Sequence, residues 1–225
     1  MRNAHRRLML FVATLFLCGA TDAAKSPAPP PSPRPVRPEG VVLFSDDFSR
    51  DDLQDWSPDK IGVWSVRRGA LRAELPDQRQ RHSFLYTGSS DWTDYAVDLD
   101  VCAMRGVDKG VAVRVMKGET GIAVDLRGIG YHDLVLHRRE SQLAKVRALN
   151  SNATWHHLRV EARDNRYKVW LNGALMIDKV DSRRSRPRGG IALAAYTGGV
   201  SECTLYYDNV VVTALQPAAA NLRER

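Results

Sequence analysis

The sequence has no uninterrupted apolar run of 18 residues, so it predicts no membrane-spanning helix in the mature chain. It also has no window of a dozen residues with a convincing 3.6-residue period, which disfavours a helical fold. A Gly-x-Ser-x-Gly elbow is absent. The adjacent His156 and His157 would point to opposite faces of a strand, so a histidine–cysteine metal centre is not expected.

A strong charge imbalance is also absent once the ends of the chain are set aside. The whole chain carries 33 Lys and Arg against 26 Asp and Glu, a net charge of +7. Residues 40–215 carry 25 basic and 23 acidic residues, a net charge of +2. The one dense basic group, in residues 183–188, has no interleaved aromatic residues. It fits a solvated loop, or a contact with an anionic glycan, better than a nucleic-acid site, and we expect no nucleic-acid partner.

The N-terminal residues have the composition of a secretory signal peptide. Three arginines within residues 2–7 precede an apolar run over 8–17 and small residues over 19–24. This order predicts export to the periplasm or the exterior, with cleavage within 20–24. Cys18 leaves a lipoprotein as the alternative, although bulky residues rather than small ones precede it.

The remaining chain divides into three parts. Residues 25–40 are proline-rich and predict an extended, polyproline-like linker, with a ligand for a proline-recognition domain as the alternative. Residues 41–215 form the folded domain, and residues 216–225 have no strand pattern and predict a disordered tail.

The folded domain is predicted to be all-β. Apolar and polar residues alternate over 95–102, 157–163 and 166–171, which is the pattern of strands with one buried face. Asp164-Asn165 and Asn172-Gly173 separate such runs as tight turns do. About 12 to 14 strand candidates over this length predict a two-sheet antiparallel jelly-roll sandwich.

Landmark residues in this domain resemble a known family. They are Leu43-Phe44-Ser45-Asp46-Asp47-Phe48, Trp56, Gly62-Val63-Trp64-Ser65-Val66, Trp155-His156-His157-Leu158-Arg159, Val169-Trp170-Leu171-Asn172-Gly173, Gly189-Gly190-Ile191-Ala192-Leu193 and Tyr207-Asp208-Asn209-Val210. In this order they resemble concanavalin-A-like lectin/glucanase domains, close to laminin-G-like domains and to the 3-keto-disaccharide hydrolase domain related to family-16 glycoside hydrolases. The resemblance implies the sandwich fold, and either glycan binding or glycoside cleavage.

Catalytic residues are not identified by the sequence. The family-16 pattern Glu-x-Asp-x-x-Glu is absent. Asp98 and Asp100 share a strand face, but two such aspartates are ordinary on a solvated or ion-paired face. We therefore leave enzymatic activity uncertain and favour a non-catalytic protein; if the protein is an enzyme, a glycoside hydrolase is expected.

The alternation also predicts a polar group on one outer sheet face. If Val111, Val113 and Val115 point inward, Arg114 points outward. The same alternation over residues 122–127 and 133–137 points Asp125, Arg127 and His137 outward. The predicted carbohydrate-binding residues are Arg114, Asp125, Arg127 and His137, with Tyr131 and His132 on a Gly-framed rim loop and Trp170 as an apolar platform for a sugar ring. The alternative is a face of cross-strand ion pairs built from the same residues.

A structural calcium ion and a disulfide are two further expectations. Related sandwiches carry a calcium ion between the first and last strands. In this chain Asp46, Asp47 and Asp208 are expected there and could supply carboxylate ligands. The alternative is that these aspartates cap turns. Cys102 and Cys203 are the cysteines left after signal removal, and an exported protein favours a disulfide between them. Strand alternation opposes this pairing, because it places Cys102 outward and Cys203 inward unless a bulge near 208–209 intervenes.

Together these observations predict an exported carbohydrate-binding or surface-interaction module. A glycoside hydrolase acting on 3-keto-disaccharides or glucans is the first alternative, and a structural envelope protein without a ligand is the second. The sequence leaves the glycan and the oligomeric state unknown.

Overall fold

The computed structural model describes residues 28–33, 40–116, 121–128, 130–138, 141–183 and 187–216. Within these ranges the chain forms 15 β-strands and no helix, so the all-β prediction is confirmed. None of these residues forms a helix with the length and hydropathy needed to cross a bilayer. The predicted signal peptide, most of the linker and nearly all of the tail lie outside the described residues.

One sheet, called sheet A, contains eight strands in the order β13-β12-β11-β6-β15-β4-β3, with β1 also paired to β15. Its strands are β1 (Val42–Asp46), β3 (Trp64–Val66), β4 (Leu71–Glu74), β6 (Tyr95–Gly106), β11 (Trp155–Arg163), β12 (Arg166–Leu171), β13 (Ala174–Val180) and β15 (Cys203–Ala214).

The facing sheet, called sheet B, contains seven strands in the order β10-β9-β8-β7-β14-β5-β2. Its strands are β2 (Ser57–Pro58), β5 (His82–Thr87), β7 (Asp108–Val115), β8 (Ile122–Arg127), β9 (Asp133–Arg138), β10 (Ser141–Arg147) and β14 (Gly190–Tyr196). Every pairing in both sheets is antiparallel.

The alternation visible in the sequence produces the core between the sheets. In β6, Val97, Leu99 and Val101 are fully buried and meet the buried Val111 and Val113 of β7 in one apolar cluster. Burial of such side chains contributes about 1.5–3 kcal/mol each, which is the main force holding two sheets face to face.

The predicted tight turns also form where the sequence placed them. Asp164 (φ 48°) separates β11 from β12, and Asn172 (φ 50°) with Gly173 (φ 84°) connects β12 to β13. Aspartate, asparagine and glycine tolerate this left-handed conformation better than other residues, which is why they stand at these turns.

Two buried tyrosines of sheet A bind the backbone of sheet B. The Tyr207 hydroxyl lies 2.5 Å from the Ala194 carbonyl and accepts a hydrogen bond from the Gly110 N–H at 3.0 Å. The Tyr95 hydroxyl donates to the Gly190 carbonyl at 2.9 Å and accepts from the Arg114 N–H at 2.6 Å. These bonds fix the two middle strands of sheet B, whose outer face carries the site described next.

Candidate functional site

An arginine–carboxylate fork lies on the outer face of sheet B, where β8 ends and β9 begins. Arg127 donates from Nε and a terminal nitrogen to both carboxylate oxygens of Asp133, at 2.6 and 2.7 Å. The Asp133 side chain is 11% exposed and the Arg127 side chain 24% exposed. The hydrogen bond with Asp133 raises the pKa of Arg127, so the guanidinium stays charged and fixed in orientation.

A histidine and two further carboxyl groups adjoin this fork. His137 Nε2 lies 2.6 Å from Asp125 Oδ2. Asp108, the first residue of β7, pairs in register with Arg127. Burial, and then the nearby Asp125 charge, raise the pKa of Asp108 to about 7. Its Oδ1 atom is buried and has no hydrogen-bond partner among the described residues. The pKa of the Asp108 carboxyl group therefore lies near neutral pH.

The predicted rim loop lies at the same end of the face. The Arg127 guanidinium carbon is 4.4 Å from the centroid of the Tyr131 ring, which is 56% exposed as a residue. His132 is exposed and has φ 50°, and its N–H donates to the Gly128 carbonyl at 3.1 Å. The loop thus brings an aromatic ring against the charged group, a contact that the sequence did not predict.

Across the same face, β5 carries a strip of aromatic rings that the sequence analysis missed. His82, Phe84 and Tyr86 occupy alternate positions, with ring centroids 5.6 Å and 6.1 Å apart along the row. All three are at least partly exposed. The signal was present in the sequence, because only every second residue from 82 to 86 is aromatic, and this phase is opposite to that of the buried Leu85.

The two strands between these groups carry short outward side chains over part of their length, whereas Tyr196 of β14 lies beside His82 and Asp108 at one end. Ala192 and Ala194 lie on β14, and Gly110 and Ala112 lie on β7, directly beside them in register. Glycine and alanine make the middle of this face lower than its edges, and Phe84 and Tyr86 pack against it, so Ala112 is 3% and Ala192 1% exposed. We call this surface the trough; His82, Phe84 and Tyr86 of β5 form one edge, Asp125, Arg127, Asp133 and His137 of β8 and β9 form the other, and Tyr196 and Asp108 lie across it at one end. From Asp108 to Ala112 on β7 the trough extends about 13 Å at about 3.3 Å per residue.

The trough ends at a cavity of about 650 Å³. Its lining includes Trp56, Tyr86, Ser90, Val115 and Met116. Tyr86 and Val115 belong to both surfaces, because they also pack with the alanines of the trough. The volume lies within the range of small-molecule sites, so the far end can hold part of a ligand that follows the trough.

The prediction that Arg114 lies on this face is wrong. Arg114 adopts φ 54° at a register irregularity between β7 and β14, and this bulge reverses the alternation after Val113. Val115 consequently turns outward, whereas the Arg114 side chain is fully buried. Its guanidinium donates to the Asp94 carboxylate at 3.0 Å and to the Asp164 carbonyl, which is a structural role.

Trp170 points outward as predicted, but it lies on sheet A, opposite the trough. Its ring centroid is 5.9 Å from the Arg159 guanidinium carbon. The same face holds Asp98, which accepts from Arg159 at 2.5 Å, and Asp100, which contacts His157 Nδ1 at 2.9 Å. The hydrogen bonds with these aspartates raise the pKa of His157 to about 9. Asp98 and Asp100 are therefore ion-paired, in agreement with the non-catalytic interpretation of this pair.

The three aspartates considered for calcium do not fit a metal site. Asp46 accepts hydrogen bonds from the Phe48 N–H and the Trp56 indole, both at 2.8 Å. Asp47 accepts from the Ser49 N–H at 3.1 Å, and Asp208 from the Asn209 N–H at 2.7 Å. These carboxylates cap local backbone donors, which was the alternative interpretation. Among the described residues, no group of three or more His, Cys, Asp and Glu side chains could hold a metal ion.

The predicted disulfide is not formed, and both cysteines are buried free thiols. Cys102 packs with Ala70 and Tyr206 on the outer face of sheet A, whereas Cys203 belongs to the core between the sheets. A register irregularity does follow Asp208, but it leaves Cys203 in the inward phase. Side chains on opposite faces of one sheet cannot approach to bonding distance.

The arginine-rich segment is described only in part. Arg184 and Arg186 lie outside the described residues, whereas Arg183 and Arg188 are exposed. Arg188 is 3.4 Å from Asp91. Pairing of this kind, between solvated side chains, agrees with a solvated loop.

Solved structures share this fold at low sequence identity. The carbohydrate-binding module CBM66 from Bacillus subtilis superposes with a TM-score of 0.59 and 18% identity, covering 71% of this chain and 96% of the module. The exoplasmic/lumenal domain of VIP36, in its Ca²⁺/Man3GlcNAc-bound form, gives a TM-score of 0.61 and 14% identity, with 82% and 94% coverage. A Bacillus subtilis protein of unknown function with a galectin-like fold gives 0.60 and 13%, with 78% and 97% coverage. These likenesses confirm the two-sheet sandwich fold.

No curated protein sequence matches the chain. A family model does, and its match covers residues 41–213, which is the whole sandwich from β1 almost to the end of β15. This agrees with the resemblance seen in the landmark residues. The chain belongs to the 3-keto-alpha-glucoside-1,2-lyase-like domain family.

Proposed function

We propose that the trough binds a saccharide and that the protein is an exported carbohydrate-binding module. The observation that carries this proposal is the pairing of an aromatic strip with a row of fixed hydrogen-bonding groups across a floor of short side chains. Phe84 and Tyr86 offer apolar ring faces to the C–H faces of a sugar, whereas Asp125 and Arg127 are suited to its hydroxyl groups. Each half of a sugar ring, apolar and polar, thus has a complementary edge.

The charges favour a neutral saccharide over an anionic one. The Arg127 fork is already occupied by Asp133, and His137 is paired with Asp125. Carboxylates accept hydrogen bonds from hydroxyl groups but repel anionic substituents. Similar structures support the ligand class, since CBM66 is a carbohydrate-binding module and VIP36 is known in mannose-bound forms.

Glycan-array binding with two matched variants tests this proposal. Labelled wild-type chain should bind a defined group of neutral glycans. Phe84→Ala should weaken that binding by about tenfold, because an aromatic contact is worth about 0.5–1.5 kcal/mol beyond its buried area. Trp170→Ala removes an aromatic ring from the opposite face and should leave binding unchanged. The proposal fails if the wild type binds no saccharide, or if both variants lose binding equally.

Catalysis in the same trough is a second candidate, and Asp108 is the observation that favours it. This carboxyl group holds its proton to about pH 7, while Asp125 and His137 beside it form a paired base. The family description implies elimination across C1–C2 of a 3-keto-glucoside. In that reaction the base takes the C2 proton, the C2–H electron pair forms the C1=C2 double bond, and the glycosidic oxygen leaves C1 with a proton from the acid.

Incubation with a 3-keto-glucoside separates catalysis from binding alone. If the trough is catalytic, the wild type releases the aglycone and an unsaturated sugar, and Asp108→Asn does not. If the trough only binds, neither protein changes the substrate, while both retain affinity for it. A ligand-free envelope protein, the remaining alternative, would show neither binding nor turnover.

Export completes the proposal and rests on the N-terminal sequence. The basic, apolar and small-residue order over residues 2–24 supports a cleaved signal. Mass spectrometry of the native protein should give an N-terminus within residues 21–25. A full-length chain in the cytoplasmic fraction would contradict export.

A further inference from the structure

Part of the proline-rich linker lies on the outer face of sheet A, opposite the trough. The Trp155 indole donates a hydrogen bond to the Pro30 carbonyl at 2.6 Å. The Asn209 amide donates to the Pro33 carbonyl at 3.0 Å, and Ser32 between them donates its hydroxyl hydrogen to Asp208. Three contacts within four residues indicate a docked segment instead of a free spacer.

The contacts follow the period of a polyproline-II helix. Pro29 and Ser32 are half-buried, while their neighbours in residues 28–33 are exposed, so every third side chain faces the sheet. The two bonded carbonyls are also three residues apart. A polyproline-II helix has three residues per turn and advances about 9.3 Å per turn, which places both carbonyls on one side.

The two donors lie on strands that are separated by one other strand. Trp155 lies on β11 and Asn209 on β15, and β6 lies between these strands. Two inter-strand spacings measure about 9.6 Å. Trp155 pairs with Cys102 of β6, and Asp208 beside Asn209 pairs with Asp100, so the donors are also offset by about 7 Å along the strands at about 3.3 Å per residue. The segment therefore crosses the strands obliquely, and the Trp155 and Asn209 side chains reach one carbonyl each.

A hydrogen bond within the domain orients the Asn209 donor. Asn209 uses its amide nitrogen twice, once for Pro33 and once for Asp100 Oδ2 at 2.8 Å. Asp100 is itself bonded to His157, and its side chain is 2% exposed. An amide nitrogen carries two hydrogens, so both are satisfied, and the buried carboxylate keeps the second hydrogen directed at the segment.

We propose that Trp155, Asp208 and Asn209 form a polyproline-II recognition site, called the proline site, and that its occupant is the chain's own segment 28–33. The ligand chemistry is complementary. Proline has no backbone N–H, so such a segment offers carbonyl acceptors, and the sheet offers an indole and an amide as donors. Polyproline-II ligands lose little conformational entropy on binding, which suits a site with few contacts.

Docking of this segment places residues 28–33 on the sheet face opposite the trough. The docking itself does not depend on saccharide binding and is tested separately from it.

Hydrogen exchange of the tryptophan indole groups tests the proposal in the full chain. The variant replaces residues 28–33 by Gly-Ser-Gly-Ser-Gly-Ser, and Trp155→Phe identifies the Trp155 signal. The Trp155 indole should exchange about tenfold more slowly in the wild type than in the Gly-Ser variant, as one hydrogen bond of about 1.4 kcal/mol gives. The buried Trp64 indole, which donates to Ser83 at 2.9 Å, is the internal control; equal, slow exchange of this indole in both proteins shows that the variant is folded.

Two additions identify the occupant. A synthetic peptide Ala-Pro-Pro-Pro-Ser-Pro, added to the Gly-Ser variant, should restore protection of Trp155, whereas a Gly-Ser peptide should not. Protection in the wild type should be the same at two protein concentrations about tenfold apart, because the segment is intramolecular. Equal Trp155 exchange in the wild type and the Gly-Ser variant would overturn the proline site. Protection that rises with concentration would overturn the chain's own segment as occupant and assign a second copy.

Discussion

Replacing Asp108 by asparagine should stabilise the protein at alkaline pH and leave its stability almost unchanged at acidic pH. The folded chain raises the pKa of Asp108 from 3.8 to about 7, chiefly by burial and then by the charge of Asp125. Arg127 and His137 oppose that rise, and Asp133 adds to it. The folded state thus holds the proton more tightly than the unfolded chain does.

The size and sign of the effect follow from this difference. Unfolding releases the Asp108 proton between about pH 4 and pH 7, so the free energy of unfolding falls as the pH rises through this window. Each pKa unit corresponds to about 1.4 kcal/mol, so ionised Asp108 costs the folded state up to about 4 kcal/mol above pH 7. Asparagine carries no charge and avoids this cost. The variant should gain that amount over the wild type at about pH 8 and almost nothing at about pH 4.

Urea denaturation of both proteins across this pH range measures the effect. Asp178→Asn is the matched control, because the Asp178 pKa is lowered by its hydrogen bonds with Arg166 on an exposed surface. It should change stability only slightly and in the opposite direction at neutral pH. A stability difference for Asp108→Asn that is the same at both pH values would refute the burial of this carboxyl group.

Three further predictions concern groups outside the trough. Arg114→Ala should lower the free energy of unfolding by about 2–5 kcal/mol, because it leaves a cavity in place of a fully buried side chain and removes the donor to Asp94 and to the Asp164 carbonyl. A loss below about 1 kcal/mol in urea denaturation would contradict the buried position. In a Cys18→Ser chain kept without reductant, a thiol reagent should label neither Cys102 nor Cys203 until urea is added. Burial raises the pKa of the Cys102 thiol to about 11 and that of the Cys203 thiol to about 12, so neither forms the reactive thiolate. Two cysteines that stay unreactive after unfolding would indicate a disulfide instead. The melting temperature should be the same with EDTA and with added calcium, and a fall in EDTA would return Asp46 and its neighbours to the role of metal ligands.

The sequence predicted the fold well because alternation is a local signal. Val97, Leu99 and Val101 show the buried phase of β6 directly, and Asn172-Gly173 marks a turn by conformational preference alone. The order of landmarks along residues 41–213 then identified the family, which the family model confirms.

The site was predicted only in part, since its errors arise from long-range geometry. Strand alternation correctly predicted that Asp125, Arg127 and His137 lie on the outer face of one sheet. The bulge at Arg114 depends on pairing with β14 and on a hydrogen bond to the Tyr95 hydroxyl, and both partners lie far away in sequence. Trp170 was assigned the right phase but the wrong surface, because alternation does not say to which sheet a strand belongs.

The central claim is that a saccharide occupies the trough on sheet B, and amide chemical-shift mapping tests it most directly. The full chain, labelled with nitrogen-15, is titrated with the neutral glycan that binds best on the array. The account predicts that the largest shifts fall on β5, β7, β8 and β14, around Phe84, Gly110 and Asp125, with little change on the outer face of sheet A around Trp170. Shifts concentrated around Trp170, or saturation of binding with no shifts on sheet B, would contradict it.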